Sequence, residues 1–144
     1  PINSEEPNYS ENSFYTNLSK TNYYEKAMAM FPNEDFLIFS DDPTWCRSHF
    51  WGDNIQIMDK GDEIEDFNLL ASCKHQIVAN SSFSYWAAIL NPNPSKQIVA
   101  PLESKYYTDG IIRTKYPKYF KQIDFGVEEK DVQINYSLGK LDNN

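Results

Sequence analysis

The sequence of 144 residues has little of several residue types on which common binding sites depend. It has two cysteines and two histidines, and none of the four has the spacing of a zinc site. Only five glycines are present, and no Gly-rich loop accompanies the acidic residues that follow the predicted strands. We therefore expect free thiols, no metal ion and no cofactor.

Basic residues are also scarce, since 13 Lys and Arg residues stand against 21 Asp and Glu residues and give a net charge of −8. They form no stripe that would neutralise a phosphate backbone, which argues against a nucleic-acid partner. No apolar run reaches the length of a membrane span, and no stretch has the layout of a signal peptide. The sequence opens with Pro1, so we expect a piece of a longer protein, located in the cytoplasm.

Short apolar strands alternate with helical patterns in the middle of the chain. The predicted strands are residues 35–40, 54–58, 77–79 and 97–101, and the predicted helices cover 20–31, a segment opening at Pro43, 62–73 and 83–90. This alternation with short polar connections predicts an α/β fold, in which a parallel sheet has flanking helices. We assign the domain to residues 20–125, between an irregular linker over 1–19 and a polar tail over 126–144.

The helix over 62–73 carries one acidic residue, Asp66, on an otherwise apolar side. Asp62 and Glu65 form a capping-box pattern at its start, and apolar side chains lie nearly all round it, which predicts a buried helix. Asp66 lies among these apolar residues on the helical wheel. A carboxylate there is stabilised by the positive helix end or by a specific hydrogen-bonding partner, and the sequence leaves both explanations open.

The stretch 75–91 has the layout of a ligand-binding turn. An apolar strand over 77–79 is followed by Asn80, Ser81 and Ser82 and then by a helix that begins near Phe83. The unpaired N–H groups of a first helical turn favour anions, and ligands of open α/β sheets bind beyond the carboxyl ends of strands. The alternative is that one serine is an ordinary helix cap.

Two adjacent carboxylates follow the first predicted strand. Asp41 and Asp42 precede Pro43, which suits a first helical position, so one of the two acids is expected to cap that helix. The pair is also placed to bind a ligand hydroxyl. Metal binding is the weaker alternative, because no third ligand accompanies them.

Several of these motifs resemble those of one enzyme family. The block Asn80-Ser-Ser-Phe-Ser-Tyr-Trp-Ala-Ala-Ile-Leu-Asn91 resembles the Asn-Ser-Ser-Phe-Ser-Trp-Trp-Gly-Ala-Trp-Leu block of glycosyltransferase family 11, the α-1,2-fucosyltransferases. The likeness runs from Tyr23 to Phe120, and its other parts come in the family's order. They are Tyr-Tyr-x-x-Ala at 23–27, Phe-Ser-Asp-Asp-Pro-x-Trp at 39–45, Asp66 with Leu69-Leu70, and Ile-Val-Ala-Pro at 98–101.

The resemblance implies a Rossmann-like domain that forms the C-terminal, donor-binding half of a GT-B glycosyltransferase. Such an enzyme transfers fucose from GDP-fucose, with inversion, to a galactose 2-hydroxyl of a glycan acceptor, and the N-terminal half of the same enzyme would be a partner. It further implies that Asp66 pairs with guanine, that the turn from Asn80 through Ser81, Ser82 and Phe83 lies against the diphosphate, and that Asp41 or Asp42 belongs to an acidic pair at the cleft.

The sequence departs from the family pattern at several positions. Tyr85, Ala87 and Ile89 stand where Trp, Gly and a second aromatic residue are common. The His-x-Arg-Arg-Gly-Asp motif, whose arginine stabilises the leaving diphosphate, is absent, so no catalytic residue is assigned. Two alternatives stay open: a non-catalytic α/β binding module of the same fold, and a glycosyltransferase that uses another nucleotide sugar.

Overall fold

The computed structural model describes residues 17–79, 81–106, 115–128, 130–137 and 140–143. Helices and strands alternate along the chain as predicted, after a short 3-10 helix at Leu18–Lys20. The helices are α1 (Tyr23–Ala29), α2 (Pro43–His49), α3 (Glu63–Ser72), α4 (Ser82–Leu90) and α5 (Glu103–Tyr106). The strands are β1 (Phe36–Ile38), β2 (Phe50–Trp51), β3 (Ile55–Ile57), β4 (Gln76–Ile77), β5 (Ile98–Pro101), β6 (Lys121–Ile123), β7 (Ile134–Ser137) and β8 (Lys140–Asn143). No helix in these ranges is long and apolar enough to cross a membrane.

The strands of the α/β region pair in parallel but form two separate sheets. One sheet has β1 beside β3, and the other has the order β4-β5-β6. All five strands are therefore parallel to their neighbours, so the carboxyl ends within each sheet lie at one edge. The α/β prediction is confirmed, and the single continuous sheet that it implied is replaced by two.

Helices cover both faces of the β4-β5-β6 sheet. On β5, Val99 packs in a buried cluster with Tyr23 of α1, whereas Ile98 and Ala100 pack in another with Ala88 of α4. Because successive side chains of a strand point to opposite faces, α1 and α4 lie on opposite sides of the sheet. All four residues of β5 are buried, as predicted for this strand.

The last described strands add a small mixed sheet to this body. β7 pairs in parallel with β2 and antiparallel with β8. Val132, Ile134 and Tyr136 are buried in a cluster with residues of α1 and α2, and Leu18 of the predicted linker is 1% exposed. The structure thus differs from the expectation of a polar tail, because these apolar side chains complete the core. Of the predicted linker, residues 1–16 lie outside the described residues.

α3 is covered less than its sequence indicates. None of its residues is buried, and Ile64 is 72% exposed. The prediction of a buried helix is wrong: α3 packs along one side against α4, where Phe67 and Phe83 meet edge to face with their centroids 5.5 Å apart. Apolar residues all round a helix bury it only where neighbouring elements exist on every side.

A cleft separates the two parallel sheets, and we call it the inter-sheet cleft. It has a volume of about 440 Å³ and is lined by β1 on one side and by β4 on the other. No backbone hydrogen bond joins these two strands in the part of the chain that the structure describes.

β1 was expected to be buried, yet Leu37 is 36% exposed, because this strand is paired only with β3. Both cysteines line the cleft and are free thiols, as predicted.

Candidate functional site

The carboxyl ends of β1 and β4 both open into the inter-sheet cleft. Ser40 follows β1, and Ala79, Ser81 and Ser84 follow β4; all four line the cleft. Its volume lies within the range of about 300 to 1,000 Å³ that is usual for small-molecule sites. The cleft is therefore large enough for a ligand, and it lies at the edge where α/β proteins bind ligands.

The first turn of α4 is fixed by a network of serine hydroxyls. Ser81 caps the helix, and its Oγ accepts a hydrogen bond from the Ser84 N–H at 3.2 Å. The buried Ser84 hydroxyl accepts from the Ala79 N–H at 3.1 Å and lies 3.1 Å from the Ser81 carbonyl oxygen, to which it can donate. The end of β4 and the cap of α4 are thereby joined at one buried hydroxyl.

The remaining N–H groups of this turn are available to a ligand. Among the described residues, the backbone N–H groups of Ser82 and Phe83 have no hydrogen-bonding partner. Ser82 is exposed, and α4 continues for nine residues, so the partial positive charge of its N-terminus adds to these two donors. Unpaired donors at such a place favour an anion such as a phosphate group.

The opposite end of α4 is held by a lysine. Lys96 Nζ donates to the carbonyl oxygens of Ala88, Ile89 and Asn91 at 2.8, 3.1 and 3.0 Å. A cation at a helix C-terminus satisfies carbonyl groups that have no partner within the helix and complements the helix dipole. The orientation of α4, and with it the direction of its N-terminal donors, is fixed at both ends.

Asp66 lies one turn into α3, the helix that packs against α4. Asp62 caps α3 by accepting from the N–H groups of Ile64 and Glu65, which confirms the predicted cap. The half-buried Asp66 has no side-chain hydrogen bond or ion pair with any other described residue. Because Phe67 contacts Phe83 in the first turn of α4, α3 and α4 pack against each other. Asp66 thus carries a carboxylate without an internal partner on the helix that packs against α4.

The acidic pair after β1 has a structural role. Asp42 caps α2, where its Oδ1 accepts from the Trp45 N–H at 3.0 Å, and Pro43 follows at a first helical position, as predicted. Both Asp41 and Asp42 are exposed, and neither lines the cleft. The structure therefore confirms the helix cap at Asp42, while ligand binding by Asp41 or Asp42 stays a prediction.

The predicted site residues are only partly brought together. Ser81 and Phe83 line the cleft, Ser82 and Asp66 lie on α4 and α3 but do not line it, and Asn80 lies outside the described residues. Sequence reasoning missed Ser84 as the residue that organises the turn. Its signal was the spacing of three residues from Ser81, which places two hydroxyls on one face of the first helical turn.

Few charged groups line the cleft among the described residues. They are Glu34, Asp35 and Lys74, with His75 beside them, and Lys74 is paired with Glu34 at 2.9 Å. This group lies at the amino ends of β1 and β4, away from the α4 N-terminus. An anion at the carboxyl edge would therefore meet backbone donors of this chain rather than its cations.

Glu34 connects the two sheets at their amino ends. Its carboxylate, which precedes β1, accepts from Lys74 and lies 3.4 Å from His75 Nε2, just before β4. His75 Nδ1 accepts from the Gln97 N–H at 2.8 Å, so the proton of the neutral ring is on Nε2 and points to Glu34. This contact closes the amino end of the cleft.

Replacing Glu34 by glutamine should lower stability near neutral pH and leave it unchanged in acid. The hydrogen bond from Lys74 holds the pKa of Glu34 below its ordinary value. A group with a lowered folded pKa stabilises the fold above its unfolded pKa of about 4.3 and loses that contribution as the pH falls through the folded pKa. Urea denaturation should show a difference below about 1 kcal/mol at neutral pH, because Lys74 is exposed and Glu34 is only partly buried, and none below about pH 3.

Lys74→Met provides the control for this prediction. In that background the Glu34→Gln substitution should cost less at neutral pH, because the principal partner of the carboxylate is already gone. The assignment is contradicted if the difference persists in acid, or if it is the same in both backgrounds.

The fold and the site together define an α/β protein with a ligand cleft at the carboxyl edge of its parallel strands. Comparison with known proteins gives its family: residues 8–116 match the model of glycosyl transferase family 11. The chain belongs to this family, as its motifs indicated. No solved structure gives a significant match.

Several curated proteins are similar to this chain. It is 33% identical to the O-antigen biosynthesis glycosyltransferase WbnK of Escherichia coli over 87 residues, an alignment that covers 55% of this chain and 29% of WbnK. It is 33% identical over 76 residues to an alpha-1,2-colitosyltransferase of Escherichia coli, which covers 49% of this chain and 26% of that protein. It is 34% identical over 77 residues to galactoside alpha-(1,2)-fucosyltransferase 2 of Rattus norvegicus, and this alignment covers 47% of this chain and 22% of that protein. The chain thus spans about a quarter of the length of these relatives.

Proposed function

We propose that this chain is the donor-binding part of an inverting α-1,2-fucosyltransferase that transfers fucose from GDP-fucose to a galactose 2-hydroxyl of a glycan. In this proposal the chain is the Rossmann-like C-terminal half of a GT-B enzyme, and an N-terminal half supplies the acceptor site and the missing arginine. The observation that carries it is the pair of free N–H groups of Ser82 and Phe83 at the N-terminus of α4, against which α3 packs with the unpaired carboxylate of Asp66.

Each part of this site has a role in donor binding. The N–H groups of Ser82 and Phe83 donate to the diphosphate, and the Ser81–Ser84 hydroxyl network holds them in place before the ligand arrives. No metal ion takes part, because backbone donors meet the phosphate oxygens. Asp66 accepts two hydrogen bonds from the edge of guanine, which adenine and uracil cannot supply in the same geometry.

A second candidate function is transfer from a different nucleotide sugar. One relative of similar identity is named a colitosyltransferase, while others are named fucosyltransferases, so sugar specificity differs among proteins that resemble this chain. Both candidates use the same diphosphate and base contacts. They differ in the sugar that the cleft accepts.

Titration calorimetry with GDP, ADP and UDP tests the proposal. The wild-type chain should prefer GDP by about 1 to 3 kcal/mol, and Asp66→Asn should abolish this preference because it turns one of the two acceptors into a donor. Glu65→Gln is the matched control: Glu65 is exposed on the same turn, so its substitution removes one charge without removing a base contact.

Three results would contradict the assignment. Equal affinity of the wild-type chain for all three nucleotides would exclude base recognition here, and a GDP preference that survives Asp66→Asn would exclude Asp66. Absence of any nucleotide binding would favour the non-catalytic module.

A further inference from the structure

Two adjacent tyrosines of α1 differ in what their hydroxyl groups contact. The Tyr23 hydroxyl is fully buried and donates to the Val78 carbonyl oxygen at 2.5 Å, with the Val99 carbonyl oxygen at 3.2 Å. Tyr24 is half-buried and lines the inter-sheet cleft. Its ring is held edge to face by Tyr23 and Phe50, with centroids 5.2 and 6.0 Å away. The ring of Tyr24 is therefore fixed, while its polar group belongs to the cleft.

The Tyr24 hydroxyl has no hydrogen-bonding partner among the described residues. Burial, together with the neighbouring Cys46 thiol, raises the pKa of Tyr24 well above its ordinary value, so the group is a neutral phenol and a hydrogen-bond donor. Among the described residues only Asn54 Oδ1 is a buried side-chain polar atom without a partner, so the Tyr24 hydroxyl is open to the cleft, where a ligand or a water molecule can accept its hydrogen bond. This site therefore offers one directed donor within a largely apolar wall.

The surroundings of this donor suit part of a sugar. Met28, Phe36 and Ile38 contribute apolar surface to the same cleft, and Ser40, which follows β1, also lines it. A hexose has both apolar C–H surface and hydroxyl groups, and a 6-deoxyhexose such as fucose also carries a methyl group. Sites for such ligands combine mostly apolar walls with a few directed polar groups.

We propose that Tyr24 is a sugar-binding residue, whose hydroxyl donates a hydrogen bond to the sugar of a nucleotide sugar bound in the inter-sheet cleft. This inference rests on the proposed function, since the diphosphate at the α4 N-terminus places the sugar at the mouth of the cleft. The apolar walls receive the C–H and methyl surface, and the phenol orients the ring.

Tyr24→Phe removes the hydroxyl without removing a hydrogen bond within the described protein. The variant should therefore unfold at the same temperature as the wild type. Calorimetric titration should show that it binds GDP-fucose about three- to tenfold more weakly, as expected for one lost hydrogen bond, and binds GDP with unchanged affinity. Tyr23→Phe is the matched control, because it removes two internal contacts: it should lower stability and leave the ratio of GDP-fucose to GDP affinity unchanged.

The outcomes separate this inference from the proposed function. If Tyr24→Phe binds GDP-fucose as tightly as the wild type, the Tyr24 hydroxyl makes its hydrogen bond to water and not to the sugar. That result would overturn the inference and leave the proposed nucleotide binding intact. Equal losses for GDP and GDP-fucose would also overturn it, because Tyr24 would then not act on the sugar. A wild-type chain that binds neither ligand would overturn the proposed function itself.

Discussion

Replacing Gly52 by alanine should destabilise the fold by about 3 to 5 kcal/mol. Gly52 follows β2 with a φ of 155°, where side chains are strained, and an added Cβ would lie 1.6 Å from the Tyr136 carbonyl oxygen and 2.7 Å from its carbonyl carbon. Tyr136 cannot move away easily. It is 1% exposed in β7, and its hydroxyl donates to the Phe31 carbonyl oxygen at 2.9 Å. The substitution therefore separates β2 from β7 or displaces a buried tyrosine.

Chemical denaturation of Gly52→Ala and Gly61→Ala measures this effect. A Cβ on Gly61 would have its nearest neighbour at 3.8 Å, an ordinary contact, so that control should change stability by less than about 1 kcal/mol. Similar stability of the two variants would contradict the close approach of Gly52 to β7.

Gln76→Leu should cost about 2 to 4 kcal/mol, because it removes the three hydrogen bonds of a buried side-chain amide. The Gln76 side chain is 3% exposed, donates to the carbonyl oxygens of Leu70 and Cys73 at 2.9 and 3.2 Å, and accepts from the Asn91 amide at 2.8 Å. These contacts join the C-terminus of α3 to β4 and to the end of α4. They help to keep the N-termini of the two helices side by side at the site.

Gln97→Leu is the control for Gln76→Leu, because Gln97 is exposed and its side chain makes no hydrogen bond with another described residue. Its substitution should change the free energy of unfolding by no more than about 0.5 kcal/mol in urea denaturation. If the two variants are equally stable, the buried amide network does not hold α3 and α4 together.

Local signals in the sequence were sufficient to predict the helix starts. Asp42, Asp62 and Ser81 each cap the helix that was predicted to follow them, because a cap depends on a side chain and the backbone two or three residues ahead. The alternation of elements likewise predicted the parallel pairing and the α/β class. The position of the α4 N-terminus at the carboxyl edge follows from these two features.

Features that depend on distant contacts were missed. The cleft between β1 and β4 exists because these two strands belong to separate sheets. The exposure of α3 depends on which other elements pack against it. The sequence also does not show which of the two adjacent tyrosine hydroxyls is bonded within the protein. That depends on which ring points at the carbonyl oxygens of Val78 and Val99. By contrast, the period-two pattern of Val132, Ile134 and Tyr136 was a strand signal that the expectation of a polar tail overlooked.

The proposed function requires the N-terminus of α4 to bind the diphosphate of a nucleotide. Titration of the ¹⁵N-labelled chain with GDP, followed by NMR, tests this directly at the atoms concerned. We expect the largest chemical-shift changes at the backbone amides of Ser82 and Phe83, with smaller changes around Asp66. Saturable binding that shifts amides elsewhere and leaves these unchanged would contradict it.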